Sequence, residues 1–142
     1  DTFFDRFAGF FHAFGCLERA VRDALDADNT RDATYRLFGK KHDSLGCLLD
    51  RVLAGDGAGD AVDQYVIVLC AEQLCREIAR DYPDFWKDRR ADARDLESRF
   101  ESSQKIRDSL IASDPASMPG FLEWFDRRFL ARARARQSAG VQ

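Results

Sequence analysis

Apolar residues recur at three- and four-residue intervals from Phe3 to Leu25, at Phe3, Phe7, Phe10, Phe11, Phe14, Leu17, Val21 and Leu25, which places them on one face of a helix. A polar break follows at Asp26–Thr30, where Asp28, Asn29 or Thr30 offers a side-chain oxygen to cap the next helix. That second helix is predicted from about Arg31 to Ala54, with Thr34, Phe38, Leu45, Leu48, Leu49, Val52 and Leu53 on its buried side. Gly39 and Gly46 each weaken it by roughly 1 kcal/mol relative to Ala unless their bare backbones admit a neighbour, so they signal tight packing or a local kink.

The stretch Gly55-Asp-Gly-Ala-Gly59 is the clearest loop, and Asp60 then caps a third helix running to about Arg80. Its middle, Tyr65-Val-Ile-Val-Leu-Cys70, is apolar around most of its circumference, and the continuation through Arg80 extends it at helical spacing well past strand length. This is the expected central helix. Pro83 ends it, because a proline disfavours helical geometry at Tyr82 and cannot donate a backbone bond. A fourth helix is predicted over Phe85–Ser113, with Trp86, Ala93, Leu96, Phe100, Ile106 and Leu110 as a narrow buried seam. Asp114–Pro119 is the next break, with Ser117 as a cap, and a last helix buries Phe121, Trp124, Phe125 and Phe129. The pattern predicts an all-α, single-domain bundle of about five helices over residues 1–142, with 127–142 a basic, frayed tail.

Composition narrows the class. With 142 residues, 45% hydrophobic and 33% charged, the chain is long enough for one core and too balanced for a disordered or low-complexity segment. Charged residues interrupt every apolar stretch, so no membrane span is expected. The net charge of −3 hides an asymmetry, because Arg127, Arg128, Arg132, Arg134 and Arg136 follow the last acid, Asp126. Arg128, Arg132 and Arg136 are spaced to line one helical face, a geometry suited to phosphates, RNA among them, or to an acidic protein surface. Six of the twelve Phe residues stand in the first fourteen positions, more aromatic area than a surface helix needs, so Phe3, Phe7, Phe10 and Phe14 either fill the core or form a face for a second copy or a protein partner.

Little of the remaining chemistry forms a complete set. Asp26, Asp28, Thr30 and Asp32 imitate the opening of a calcium loop, but Arg31 and Leu37 occupy the positions that want Gly and Glu. Cys16, Cys47, Cys70 and Cys75 lack zinc spacing and read as reduced and buried. The glycines at 55, 57 and 59 lack the Lys-Ser/Thr of a phosphate loop. No metal or cofactor is therefore expected, and with no leader peptide read at the start the cytoplasm is the default location. Two histidines limit acid–base chemistry near neutral pH: His12, inside the Phe stripe and expected to pack or cap, and His42, at the edge of the second helix's buried side beside Gly39 and Gly46.

The segment Lys40-Lys-His-Asp-Ser-Leu-Gly-Cys-Leu-Leu49, followed by Ala79-Arg-Asp-Tyr-Pro-Asp84, resembles paired motifs of some HEPN-superfamily helical domains. Arg36-Leu-Phe-Gly-Lys-Lys-His42 also satisfies the Arg, four to six residues, His signature of that superfamily's ribonucleases. The resemblance implies a metal-independent endoribonuclease of toxin or defence type. In it Arg36 stabilises the scissile phosphate and His42 moves the proton of the 2′-hydroxyl, at a cleft between two subunits. On one continuous helix, positions six apart point about 120° away from each other, so Arg36 and His42 converge only through a kink at Gly39 or across a dimer. The reading favoured by the residues themselves is a non-enzymatic helical module that acts by homo-oligomerisation or by binding a protein partner, with this ribonuclease as the alternative.

Overall fold

A computed structural model describes residues 8–40, 44–55 and 60–128. Seven helices occupy them: α1 (Ala8–Asp26), α2 (Thr30–Phe38), α3 (Leu45–Leu53), α4 (Ala61–Asp81), α5 (Pro83–Asp88), α6 (Arg90–Ser113) and α7 (118–128), with no strand among the described residues. The all-helical class agrees with the sequence pattern; the helix count is higher than five because two predicted helices are each divided. None of the helices among the described residues is long and apolar enough to cross a membrane.

α4 is the axis of the fold. Ten of its residues are buried, among them Val66, Ile67, Val68, Ala71, Leu74 and Ile78, and α1, α3, α5 and α6 all pack against it. Leu37 of α2, Leu45 and Leu49 of α3, Leu96 of α6, and Leu122 and Phe125 of α7 complete one contiguous core. Caps close the helix starts. Asn29 accepts the Asp32 amide at 3.2 Å, selecting one of the three candidate caps, and Asp60 accepts the Asp63 amide at 3.0 Å. The end of α3 is satisfied from outside, where the Gln64 side-chain amide donates to the Val52 carbonyl at 3.1 Å.

The helix expected over 31–54 is two helices, α2 ending at Phe38 and α3 starting at Leu45. Gly39 leaves the helical conformation (φ −65°, ψ 168°), and the Ser44 hydroxyl donates to its carbonyl at 2.6 Å while accepting the Cys47 amide that starts α3. The glycines permit the corner. A Cβ on Gly39 would fall 2.5 Å from the Tyr35 carbonyl oxygen, and one on Gly46 3.3 Å from the Gly39 carbonyl oxygen. The helix expected over 85–113 is likewise divided, at Arg89, for a tertiary reason. The Arg89 guanidinium donates to the Thr34 hydroxyl of α2 at 2.6 Å and lies 4.6 Å from the Phe85 ring centre, so the chain turns there to seat Phe85 in the core.

Three further arginines cross between helices. Arg22 of α1 reaches Asp81 of α4 at 2.8 Å, Arg99 of α6 reaches Asp50 of α3 at 2.6 Å, and Arg107 of α6 donates to the Tyr65 hydroxyl of α4 and pairs with Asp126 of α7 at 3.0 Å. Asp81 is bonded most strongly by Arg80 and then, against its partial burial, by Arg22, which holds its carboxyl at about 2 rather than the ordinary 3.8. A carboxylate lowered in this way stabilises the fold fully above pH 3.8 and ceases to do so as pH falls through about 2.

Ile67→Ala is expected to cost about 3 kcal/mol in urea unfolding, as for other fully buried aliphatic side chains. Gly39→Ala is expected to cost about 1–3 kcal/mol, because a backbone carbonyl cannot move aside as a side chain can. Asp81→Asn should cost about 0.5–1 kcal/mol at pH 7, a value fit for a largely exposed pair, and the gap to the parent should close as the pH of the unfolding series is lowered from about 4 to 2.

Candidate functional site

α4 is enclosed on most sides, and its remaining strip, at Leu69, Glu72, Gln73, Arg76 and Ala79, lies beside α6. α6 presents Glu97, Phe100, Glu101, Gln104 and Arg107 to the same space at helical spacing. Between the two runs a groove in two joined parts, of about 520 and 400 Å³, which share Glu72, Arg76, Ser103 and Gln104. One end is floored by Phe100, Trp86, Cys75 and Ala79; the other is bounded by Tyr65, Leu69, Arg107 and Asp126.

Carboxylates dominate the aromatic end. Glu72, Glu97 and Glu101 line it against one guanidinium, that of Arg76, which bonds Glu72 at 2.8 Å. The Trp86 indole N–H donates to Glu97 at 3.2 Å, fixing the ring's edge toward the acid. Glu97 and Glu101 are exposed and four apart on α6, an arrangement that costs a helix about 0.2–0.5 kcal/mol by like-charge repulsion and that a cation between them relieves. At the opposite end, burial pushes the Tyr65 phenol upward despite the opposing bond from Arg107, so the phenol stays neutral and accepts that bond. The groove thus offers an apolar floor, an acidic rim and a polar mouth.

The sequence-predicted residues fall elsewhere or outside the described residues. Arg36 sits on α2 with its Nε 2.8 Å from Asp32. His42 lies outside the described residues, which stop at Lys40 and resume at Ser44. The shallow cleft beside Gly39 and Gly46 holds only about 50 Å³ and is lined by Asp50, Asp92 and Asp95 as well as Lys40 and Arg99, a poor electrostatic match for a phosphate. Phe3 and Phe7, and the side chain of Phe10, lie outside the described residues, whereas Phe14 is 4% exposed and belongs to the core. Arg128 is exposed and stacks 5.6 Å from the Trp124 ring centre, while Arg132 and Arg136 lie outside the described residues.

Two expectations need correction. Cys16 is exposed and Cys47 half-buried, so only Cys70 and Cys75 are the buried thiols expected of all four; Cys16 occupies the solvent side of α1, opposite Phe14 and Val21. His12 is exposed rather than packed, with its Nε2 3.6 Å from the Cys16 sulfur. The groove residues themselves were legible only in part. Trp86 and Phe100 have the spacing of a buried seam, yet both remain half-buried, and the flanking Glu97 and Glu101 are the signal that this seam borders solvent.

Compared with protein-family models, with curated proteins and with solved structures, the chain finds no match.

In native protein at pH 8, Cys16 is expected to react with a thiol reagent within minutes. Cys75, whose pKa burial drives far upward although its residue borders the groove, should react only on unfolding; peptide mapping of the labelled thiols reads both.

Proposed function

We propose that the protein is a non-enzymatic helical module that works by association, taking a cationic amphipathic helix of a second copy or of a protein partner into the α4–α6 groove. The observation that carries this reading is the pairing of an aromatic floor, Trp86 and Phe100, with the exposed acids Glu97 and Glu101 on the same stretch of the groove. Apolar burial supplies the affinity of such a contact, at roughly 25 cal/mol for each Å² removed from water. The acids choose the sign of the partner and speed its encounter, an effect that salt weakens. The absence of a membrane-length helix among the described residues fits a partner met in water.

The ribonuclease reading rests on Arg36 and His42, and the Asp32 carboxylate paired with Arg36 and the acids of the cleft beside Gly39 oppose an RNA phosphate there. The expected outcome in EDTA is that the purified chain leaves single-stranded and structured RNA intact and that His42→Ala behaves as the parent; cleavage lost in His42→Ala would reverse the ranking.

A fluorescein-labelled amphipathic Arg/Leu/Ala 16-mer serves as the probe for the groove. The parent is expected to bind it saturably at one site, and Glu97→Lys combined with Glu101→Lys should weaken binding at least about tenfold, corresponding to about 1.4 kcal/mol. Raising salt from about 50 to 300 mM should weaken the parent's binding and leave the variant's little changed. Equal binding by parent and variant overturns the reading.

A further inference from the structure

We propose that His12 and Cys16, one turn apart on the solvent side of α1, are half of a tetrahedral site for a zinc ion, and that the same two residues of a second copy complete it. The site depends on none of the residues that line the α4–α6 groove.

The helix itself builds the pair. Residues four apart are neighbours on a helical surface, and here the His12 Nε2 stands 3.6 Å from the Cys16 sulfur. A tetrahedral zinc ion, with bonds of about 2.3 Å to sulfur and about 2.0–2.1 Å to nitrogen, holds those two atoms about 3.5–3.6 Å apart. The separation along α1 therefore already equals one edge of such a site. On binding, the thiol releases its proton to solvent and the imidazole coordinates in its neutral form. Both side chains are exposed, so the ion reaches them without any rearrangement of the core.

One copy supplies two ligands and a single negative charge. Among the described residues no group of three or more His, Cys, Asp or Glu side chains comes together, so a closed four-ligand site needs a second set. A second copy related by a two-fold axis brings an identical set, because such an interface presents the same patch from both sides. Two thiolates also balance the two charges of the ion, which one thiolate does not. The surface beside the pair is low. Gly9, Ala13 and Gly15 are exposed, and among the described residues no side chain or distant backbone atom lies within 4 Å of where a Cβ on Gly9 or Gly15 would stand. Another α1 therefore has room to cross there. The spacing of the cysteines among themselves misses this site, because the second ligand is a histidine one turn away.

The test uses the full chain, stripped of metal and kept reduced with a phosphine, to which zinc chloride is added. Zinc is expected to double the sedimenting mass at one ion per two chains, and EDTA to reverse the change, which a Cys16–Cys16 disulfide would survive. Competition against a chromogenic zinc chelator reads the affinity, which His12→Ala and Cys16→Ser should each lower at least about tenfold; Cys47→Ser is the control and should match the parent. Zinc bound without a change in mass, or binding that either substitution leaves intact, overturns the proposal. A second measurement needs no variant. Zinc should slow maleimide labelling of Cys16 in the parent chain at least about tenfold, because a coordinated thiolate is no longer a free nucleophile; labelling that ignores zinc overturns the proposal as well.

Discussion

The physical constraint on which the structure depends is the apolar circumference of α4. A helix with Val66, Ile67, Val68, Ala71, Leu74 and Ile78 buried in consecutive turns cannot lie on a surface, because each such aliphatic side chain loses about 1.5–3 kcal/mol when left in water. It has to be surrounded, and α1, α3, α5 and α6 surround it. Short helices meet this need better than long ones, since a helix bends little and a 21-residue cylinder must be covered from several directions. The corners at Gly39 and Arg89 are the consequence: each lets the chain change direction while keeping an apolar residue, Leu37 or Phe85, in the core.

The enclosing helices have thin apolar faces of their own. α6 buries only Ala93, Leu96 and Leu110 over its 24 residues, and it is held in place by guanidinium groups that reach across to its neighbours. Arg89 finds Thr34, Arg99 finds Asp50, and Arg107 finds both Tyr65 and Asp126. Exposed ion pairs of this kind contribute about 1 kcal/mol or less each; their larger effect is directional, because a planar fork accepts few orientations of its partner. Between α6, held by these contacts, and α4 lies the acidic groove.

That groove gathers features that stability alone does not ask for. Trp86 and Phe100 keep part of their rings in solvent, and Glu97 and Glu101 repel each other above them. The same chain is acidic up to Asp126 and carries five arginines after it. The groove therefore combines a half-open aromatic floor with an acidic rim in one place.

The linear pattern by itself determined the class of fold, the central helix and most of its neighbours' boundaries, because helical periodicity, capping by Asn29 and Asp60, and the stop at Pro83 all act within a few residues. Gly39 and Gly46 even marked the corner between α2 and α3, although not its sharpness, which depends on the Ser44 hydroxyl bonding the Gly39 carbonyl. The corner at Arg89 had no local mark, since Lys87-Asp-Arg-Arg90 contains no helix breaker and its turn is imposed by Thr34, far away in the chain. The same holds for the groove: spacing can say that Trp86 and Phe100 share a stripe with Leu96, but only the distance at which α6 packs on α4 decides that the stripe is half open to water. Periodicity is a property of one helix, and a groove is a property of two.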